Sequence, residues 1–267
     1  MPETVSLNGR ILPASGACIP VSDRGFLLGD GVFETIRVRH RAPVAPERHL
    51  ARLAEGLKVL HFGLLPLDPG RILADLLDAS AVADGVVRLT VSRGPGPRGA
   101  LPPANPTPTI LATIAAALPV VTPARLVTAR STRRNHLSPL ARIKTTSYGD
   151  SLLARIEADA ALADDAVLLN TEGRVAETAI ANLVFRLGDA WLTPPVADGA
   201  LPGTARARLL DAGLIAEKSL SPAEIAQARA GFVISALTLR PIASLDGKPF
   251  PAPVTDAFVA FSDVLEM

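Results

Sequence analysis

Apolar and polar residues alternate from Val32 to Val38, the two-residue period of a half-buried strand. Similar β-rich stretches run from Val86 to Ser92 and from Thr109 to Ala116. Val5 to Leu12 reads as two strands joined by a turn at Asn8-Gly9, a pair suited to positive φ. Between these, the pattern changes to a helical period. Pro46 opens a helix from Glu47 to about Leu60, with Gly63 beyond its end, and Arg71 to Ala79 makes a second. After Pro119 to Pro123 the pattern resumes. Leu126 to Ala129 is a strand and Asp150 to Ala163 a helix. Ala166 to Asn170, Arg174 to Glu177 and Asn182 to Leu187 are short strands, the first two joined through Glu172-Gly173. Gly203 to Ala212 is a helix, and Ser221 with Glu224 three residues on has the spacing of a capping box. Phe232 to Ala236 is a strand, Asp246-Gly247 a hairpin turn, and Thr255 to Leu265 a closing helix.

No repeat or low-complexity tract interrupts the chain. The pattern predicts two α/β or α+β domains, residues 1–118 and 125–267, joined by a linker at 119–124. A ligand cleft is expected between the domains.

Composition narrows the function. Of 267 residues, 48% are hydrophobic, enough for a substantial core without disulfide or metal staples. Twenty-seven basic residues against 26 acidic ones leave a net charge of +1. That balance offers no field to draw nucleic acid or an anionic membrane. The single cysteine, Cys18, excludes an intrachain disulfide and a cysteine-cluster metal site, and a buried thiol in a reducing cytoplasm is expected. No basic segment leads into an early apolar run, so no signal peptide is expected. The apolar run from Thr113 to Val121 falls short of the ~20 residues of a spanning helix. The expectation is a soluble cytoplasmic protein. Only four basic residues are lysines (Lys58, Lys144, Lys218, Lys248), so few amines compete for a chemical role.

Several segments could carry chemistry. Lys144 follows Leu140, Arg142 and Ile143; an amine must shed its proton to attack a carbonyl, which burial or a nearby cation favours. Alone, such a lysine reads as a surface residue. Glu177 lies among small and apolar residues, where an ionised carboxylate needs a partner. Leu201-Pro202-Gly203-Thr204-Ala205-Arg206 opens a helix whose free N–H groups, with the Thr204 hydroxyl, suit a phosphate, although simple capping is the more common meaning of such a sequence. Arg52 could add a charged contact. The loop Arg93 to Gly99 could cradle an anion; without interleaved aromatics it does not suggest nucleic-acid binding. Gly29-Asp30-Gly31 precedes a strand and is a turn signal, not a dinucleotide site. An amine, a carboxylate, a helix-start anion site and an arginine are together the parts of a pyridoxal 5'-phosphate (PLP) site.

The ordered motifs resemble the fold-type IV PLP enzymes, a group of branched-chain aminotransferases, D-amino-acid aminotransferases and aminodeoxychorismate lyases. The resemblance starts at Ser22-Asp23-Arg24-Gly25-Phe26-Leu27-Leu28-Gly29-Asp30-Gly31-Val32-Phe33-Glu34-Thr35-Ile36-Arg37. It continues through His49 to Leu53, Ile143-Lys144, Leu169-Asn170, Gly173, Val175, Glu177 and Asn182, and ends at Gly203-Thr204-Ala205-Arg206. It implies a two-domain fold of the D-amino-acid aminotransferase type, with PLP between the domains, acting as a homodimer on a small amino substrate. It implies that Lys144 carries the cofactor as a Schiff base and moves the substrate Cα proton. Glu177 pairs with the pyridine nitrogen, Arg52, Gly203 and Thr204 hold the phosphate, Tyr148 lies near the ring hydroxyl, and Leu201 packs on the ring. Asn182 belongs to the same set. Either Ser235 or Thr238 adds a phosphate contact, in a segment one residue shorter than the family pattern.

Within the group, the loop Arg93 to Gly99 and the pair Arg134-Asn135 resemble the lyases. Thr35 stands where D-amino-acid enzymes usually carry Val and branched-chain enzymes Gly. Phe33 lacks the hydroxyl common in D-amino-acid enzymes, and Ala100 replaces their carboxylate-capturing His. Ala100 and Ser147 also depart from the lyases, where Tyr and Asn are common. The resemblance points to a lyase converting 4-amino-4-deoxychorismate to 4-aminobenzoate and pyruvate, with Arg98 on a substrate carboxylate and Thr35 and Phe33 lining the pocket. Alternatives are a transaminase of D-amino acids, branched-chain amino acids or (R)-amines, and a non-catalytic paralogue that binds PLP or a metabolite.

Overall fold

The structure is a computed structural model that describes residues 4–116, 118–119, 121–251 and 255–267. Of the expected linker, residue 120 lies outside the described residues, as does residue 117 of the apolar run that ends at Val121. The chain forms two compact units: Met1–Leu118 with Ile143–Tyr148, and Pro119–Arg142 with Gly149–Met267.

In the first unit the elements are β1 (Thr4–Leu7), β2 (Arg10–Pro13), α1 (Arg24–Leu28), β3 (Gly31–Arg39), β4 (Ala42–Pro43), α2 (Pro46–Val59), α3 (Pro69–Ala79), β5 (Gly85–Ser92) and β6 (Thr109–Ala115). The strands form one antiparallel sheet in the order β2-β1-β6-β5-β3-β4. The β1–β2 turn has Asn8 and Gly9 at φ 51° and 77°, as its sequence predicts. Alternation along β3 divides its side chains between two faces. Val32, Ile36 and Val38 enter the core with Leu53 and Leu57 of α2 and Leu73 and Leu76 of α3. Phe33, Thr35 and Arg37 take the other face.

The segment Ile143–Tyr148, which sequence reading places in the second domain, packs with the first. Ile143 is 3% exposed in the same core. The Phe33 N–H donates to Lys144 O (2.9 Å), Thr146 N–H donates to Gly31 O (2.9 Å), and Thr145 bridges Val32. The segment thus acts as an extra strand edge on β3. Sequence order hides this, because the pairing joins residues more than a hundred positions apart.

The second unit contains β7 (Ala124–Thr128), α4 (Gly149–Ala160), β8 (Asp165–Leu169), β9 (Val175–Thr178), β10 (Asn182–Leu187), β11 (Ala190–Thr193), α5 (Thr204–Asp211), β12 (Ala216–Glu217), α6 (Pro222–Ile225), β13 (Ala230–Ile234), β14 (Leu239–Leu245), β15 (Lys248–Pro249) and α7 (Thr255–Leu265). Its sheet runs β12-β11-β10-β13-β14-β7-β8-β9, with β15 on β14. Neighbouring residues of one strand serve different cores. Leu183, Phe185 and Val233 pack towards α6; Val184, Phe232 and Ile234 pack with α5 and α7. A sheet buried on both faces gives continuous apolar runs, which explains Leu-Val-Phe and Phe-Val-Ile in β10 and β13.

Strand β14 has no counterpart among the sequence expectations. Pro241 breaks its pattern and cannot donate to the ladder, and the register with β7 shifts between Ile242 and Ser244. Cys18, expected to be buried, is exposed. It lies beyond the turn at Ala14–Gly16, outside any strand or helix that would carry it inward. Among the described residues, no helix is long and apolar enough to cross a membrane, and no group of three or more His, Cys, Asp or Glu could hold a metal ion.

Candidate active site

In the first unit, Lys144 projects beside two aromatic rings. Its Nζ is 3.3 Å from the Tyr148 hydroxyl and 4.5 Å from the Phe33 ring centroid. The two rings meet edge to face at 5.2 Å. Phe33 is fixed by its strand, and Tyr148 lies one helical turn's length of sequence beyond Lys144. Thr35 shares the Phe33 face of β3 and is half-buried. Opposite it in register stands Arg88 of β5, whose guanidinium lies 3.8 Å over the Phe33 ring. Sequence reading missed Arg88. Its signal is a charge at an alternate position of β5, directly across from Thr35.

Arg52 is set by a buried carboxylate. Glu34, 0% exposed, accepts from Arg52 Nε (2.8 Å) and Nη2 (2.6 Å), a two-point fork. His49 Nδ1 lies 2.7 Å from the same carboxylate. Burial works to raise the Glu34 pKa, but the hydrogen bonds and charges of Arg52 and His49 prevail and hold it below its ordinary 4.5. Glu34 and His49 also escaped sequence reading, although Glu34 interrupts the apolar face of β3 and His49 precedes Arg52 by one turn of α2. Arg98 lies exposed on the β5–β6 loop, with no side-chain hydrogen bond or ion pair among the described residues.

In the second unit, Glu177 is 7% exposed at the end of β9. Its Oε2 accepts from Leu201 N–H (2.9 Å) and from Asn182 Nδ2 (3.5 Å), and its Oε1 lies 3.1 Å from Arg134 Nη2. Arg134 is itself anchored by the carbonyls of Gly199 (3.1 Å) and Ala141 (2.8 Å). Sequence reading noted Arg134 only as a family-like residue and gave it no partner. Asn182 also donates to Leu201 O (2.9 Å). A Cβ on Gly203 would stand 1.9 Å from Asn182 Oδ1, so only glycine allows this close approach. Thr204 opens α5, whose N-cap is Gly203 and has no side chain to satisfy the helix start.

Register sets Asn182 opposite Ile234, which precedes the β13–β14 turn. There the Ser235 and Thr238 hydroxyls bond each other at 3.0 Å, and Ser235 Oγ accepts from Thr238 N–H at 3.1 Å. The two residues left as alternatives by sequence therefore form one hydroxyl pair.

The donor set fits PLP. The first unit offers an amine beside a phenol, and the second, taken by itself, a buried carboxylate paired with an arginine. An uncapped helix start and paired hydroxyls suit a phosphate.

Three comparisons bear on this arrangement. The family model described as amino-transferase class IV matches residues 31–245. The crystal structure of 4-amino-4-deoxychorismate lyase from Pseudomonas aeruginosa matches with a TM-score of 0.84 and 32% identity, covering 98% of this chain and 100% of that one. The branched-chain amino acid aminotransferase of Escherichia coli matches with a TM-score of 0.90 over 99% of this chain and 95% of that one; at 22% identity this is a likeness of fold. D-alanine aminotransferase of Bacillus licheniformis is 27% identical over 270 residues, 94% of this chain and 93% of that protein.

Proposed function

This chain belongs to the class IV aminotransferase family, a family of PLP-dependent aminotransferases and lyases, and we propose that within it the protein is a 4-amino-4-deoxychorismate lyase releasing 4-aminobenzoate and pyruvate. The observation that carries the reading is the Lys144 amine, held 3.3 Å from the Tyr148 hydroxyl against the Phe33 ring. The choice of lyase is supported by likeness to the Pseudomonas enzyme along nearly the whole chain and by the Arg93 to Gly99 loop.

When bound, PLP supplies an electron sink at the substrate Cα. The chain's residues supply the rest. Lys144 holds the cofactor and takes the Cα proton at Nζ, while the Tyr148 hydroxyl shares a hydrogen bond with that amine. Glu177, paired with Arg134, would face the pyridine nitrogen, and Asn182 ties both Glu177 and the Leu201 backbone. Leu201 packs on the ring. Gly203 and Thr204 at the start of α5 and the Ser235–Thr238 pair would hold the phosphate, and Arg52, oriented by Glu34, would add a charge to it. Phe33 and Thr35 line the substrate side, and Arg98 binds a substrate carboxylate.

The protein acts as a homodimer in the cytoplasm. Support for the dimer is the exposed apolar run on α1, where Phe26, Leu27 and Leu28 are 80%, 57% and 51% exposed. A transaminase is the second reading, favoured by the D-alanine aminotransferase likeness along 94% of the chain.

A spectral titration with D-alanine, L-leucine and 4-amino-4-deoxychorismate decides between them. The lyase returns unaided to the aldehyde form of the cofactor; a transaminase is left in the amine form after one donor. Lys144→Ala and Glu177→Gln are expected to abolish and to depress turnover, respectively. Full turnover by Lys144→Ala would remove the mechanism, and a protein that stays colourless with added PLP would favour a non-catalytic paralogue.

A further inference from the structure

The loop from Arg93 to Pro108 joins β5 to β6 over sixteen positions without a helix or strand of its own. Loops of this length hold one conformation only when tied down. Here the ties come from the segment just before β3. The Asp23 carboxylate caps Gly25 N–H (2.8 Å) and also accepts from Ser92 Oγ (3.0 Å) and Thr109 Oγ1 (2.7 Å), the last residue of β5 and the first of β6. One side chain thus pins both stems of the loop.

The next residue, Arg24, pins the tip. Its side chain is 3% exposed, Nε donates to Asp30 Oδ2 (2.9 Å), Nη1 to Gly99 O (2.9 Å) and Nη2 to Ala100 O (2.7 Å). Asp30 Oδ2 also takes Arg93 Nε at 2.8 Å, so two buried guanidinium groups share one carboxylate. With its charge only partly matched, Arg24 depends on the two carbonyls, and a loop that swung away would strand buried N–H donors. The loop also fits Arg24 by shape: a Cβ on Gly96 would meet Arg24 Cδ at 2.9 Å.

The carbonyls that Arg24 grips belong to the two residues directly after Arg98. We infer that Arg24 is a positioning residue for substrate selection, holding the loop so that Arg98 meets the substrate carboxylate. The inference rests on the reading of Arg98 as the carboxylate partner. Arg24 touches neither substrate nor cofactor, so its loss weakens substrate capture and spares the chemistry of Lys144.

The test is a double-mutant cycle on the PLP-loaded enzyme, with 4-amino-4-deoxychorismate as substrate, or D-alanine if that is what the wild type turns over. Arg98→Ala, Arg24→Lys and Gly96→Ala are each expected to raise KM about tenfold, the scale of one lost charge-assisted contact, with little change in kcat. Arg24→Lys keeps the charge next to Asp30 but cannot fork to two carbonyls. Gly96→Ala disturbs the same grip from the loop side, by crowding the Arg24 side chain without changing its charge or its donors. Arg24→Lys combined with Arg98→Ala should be no worse than Arg98→Ala alone. Additive KM effects, an equal fall in kcat, or an unmoved KM in Arg24→Lys and Gly96→Ala while Arg98→Ala raises it, would each overturn the inference. An unmoved KM in Arg98→Ala would be a different failure, removing the carboxylate role itself and the positioning role with it.

Discussion

Glu34 has no access to water, yet it carries charge on the core face of β3. Its partners Arg52 and His49 make that tolerable, and the sign of its pKa shift fixes a pH dependence. A carboxylate held below 4.5 when folded stabilises fully above that value and loses the contribution as pH falls through its folded pKa. Glu34→Gln takes the carboxylate from Arg52 at a site 10% exposed. It is expected to cost about 3 kcal/mol in urea unfolding near neutral pH, with the gap to wild type closing as pH falls below 4.5 and through the folded pKa. A gap independent of pH would refute the charge argument. In the second unit, Arg134→Met is expected to raise the apparent Kd for PLP about tenfold, read by absorbance titration, because Glu177 loses its cationic partner. At this scale the sequence showed the candidate reactive groups and hid their supports. Lys144 and Glu177 stand out as a rare amine and a carboxylate in apolar company. Arg134, Glu34 and Arg88 matter through partners that only folding brings near.

Elements differ in how openly their sequences declare them. The capping box at Ser221 and Glu224 is present as read, with Ser221 Oγ accepting from Glu224 N–H and Glu224 accepting from Ser221 N–H. Helices α2 and α3 follow their prolines closely, starting at Pro46 and Pro69. Strand β14 escaped because its information is in its neighbours: β13 and β7 supply the pairing that Pro241 interrupts. The start of α5 was legible as a helix start, but the reason for its glycine was not. Gly203 is there for Asn182, not for an unusual φ, which is an ordinary −67°. Gly203→Ala should therefore push Asn182 off Leu201 and Glu177. The expected result is a rise of about tenfold or more in the Kd for PLP with an unchanged far-UV spectrum; unaltered affinity would mean that Asn182 moves aside without consequence.

For the whole molecule, the motif order along the chain was enough to indicate the fold, because a family's spacing encodes its topology even where single residues are ambiguous. Assembly is a separate matter. Phe26→Glu places a charge in the exposed apolar run of α1 and is expected to convert the proposed dimer to monomer in sedimentation. Retention of the dimer would move the interface elsewhere. What was not legible is the return of Ile143–Tyr148 to the first unit, since nothing local in that segment announces its pairing with β3.

That return has a consequence for cutting the protein in two. A break at residues 118–119 would separate the first sheet from six residues that complete its edge, leaving Ile143 missing from a core and the Phe33 amide without its acceptor. Neither half is then a self-sufficient module, and the reactive amine travels with the wrong fragment. With the Lys144 segment ordered by β3, colour from added cofactor is expected only on mixing the two pieces, so the polypeptide lends itself to a split reporter whose signal is reassembly.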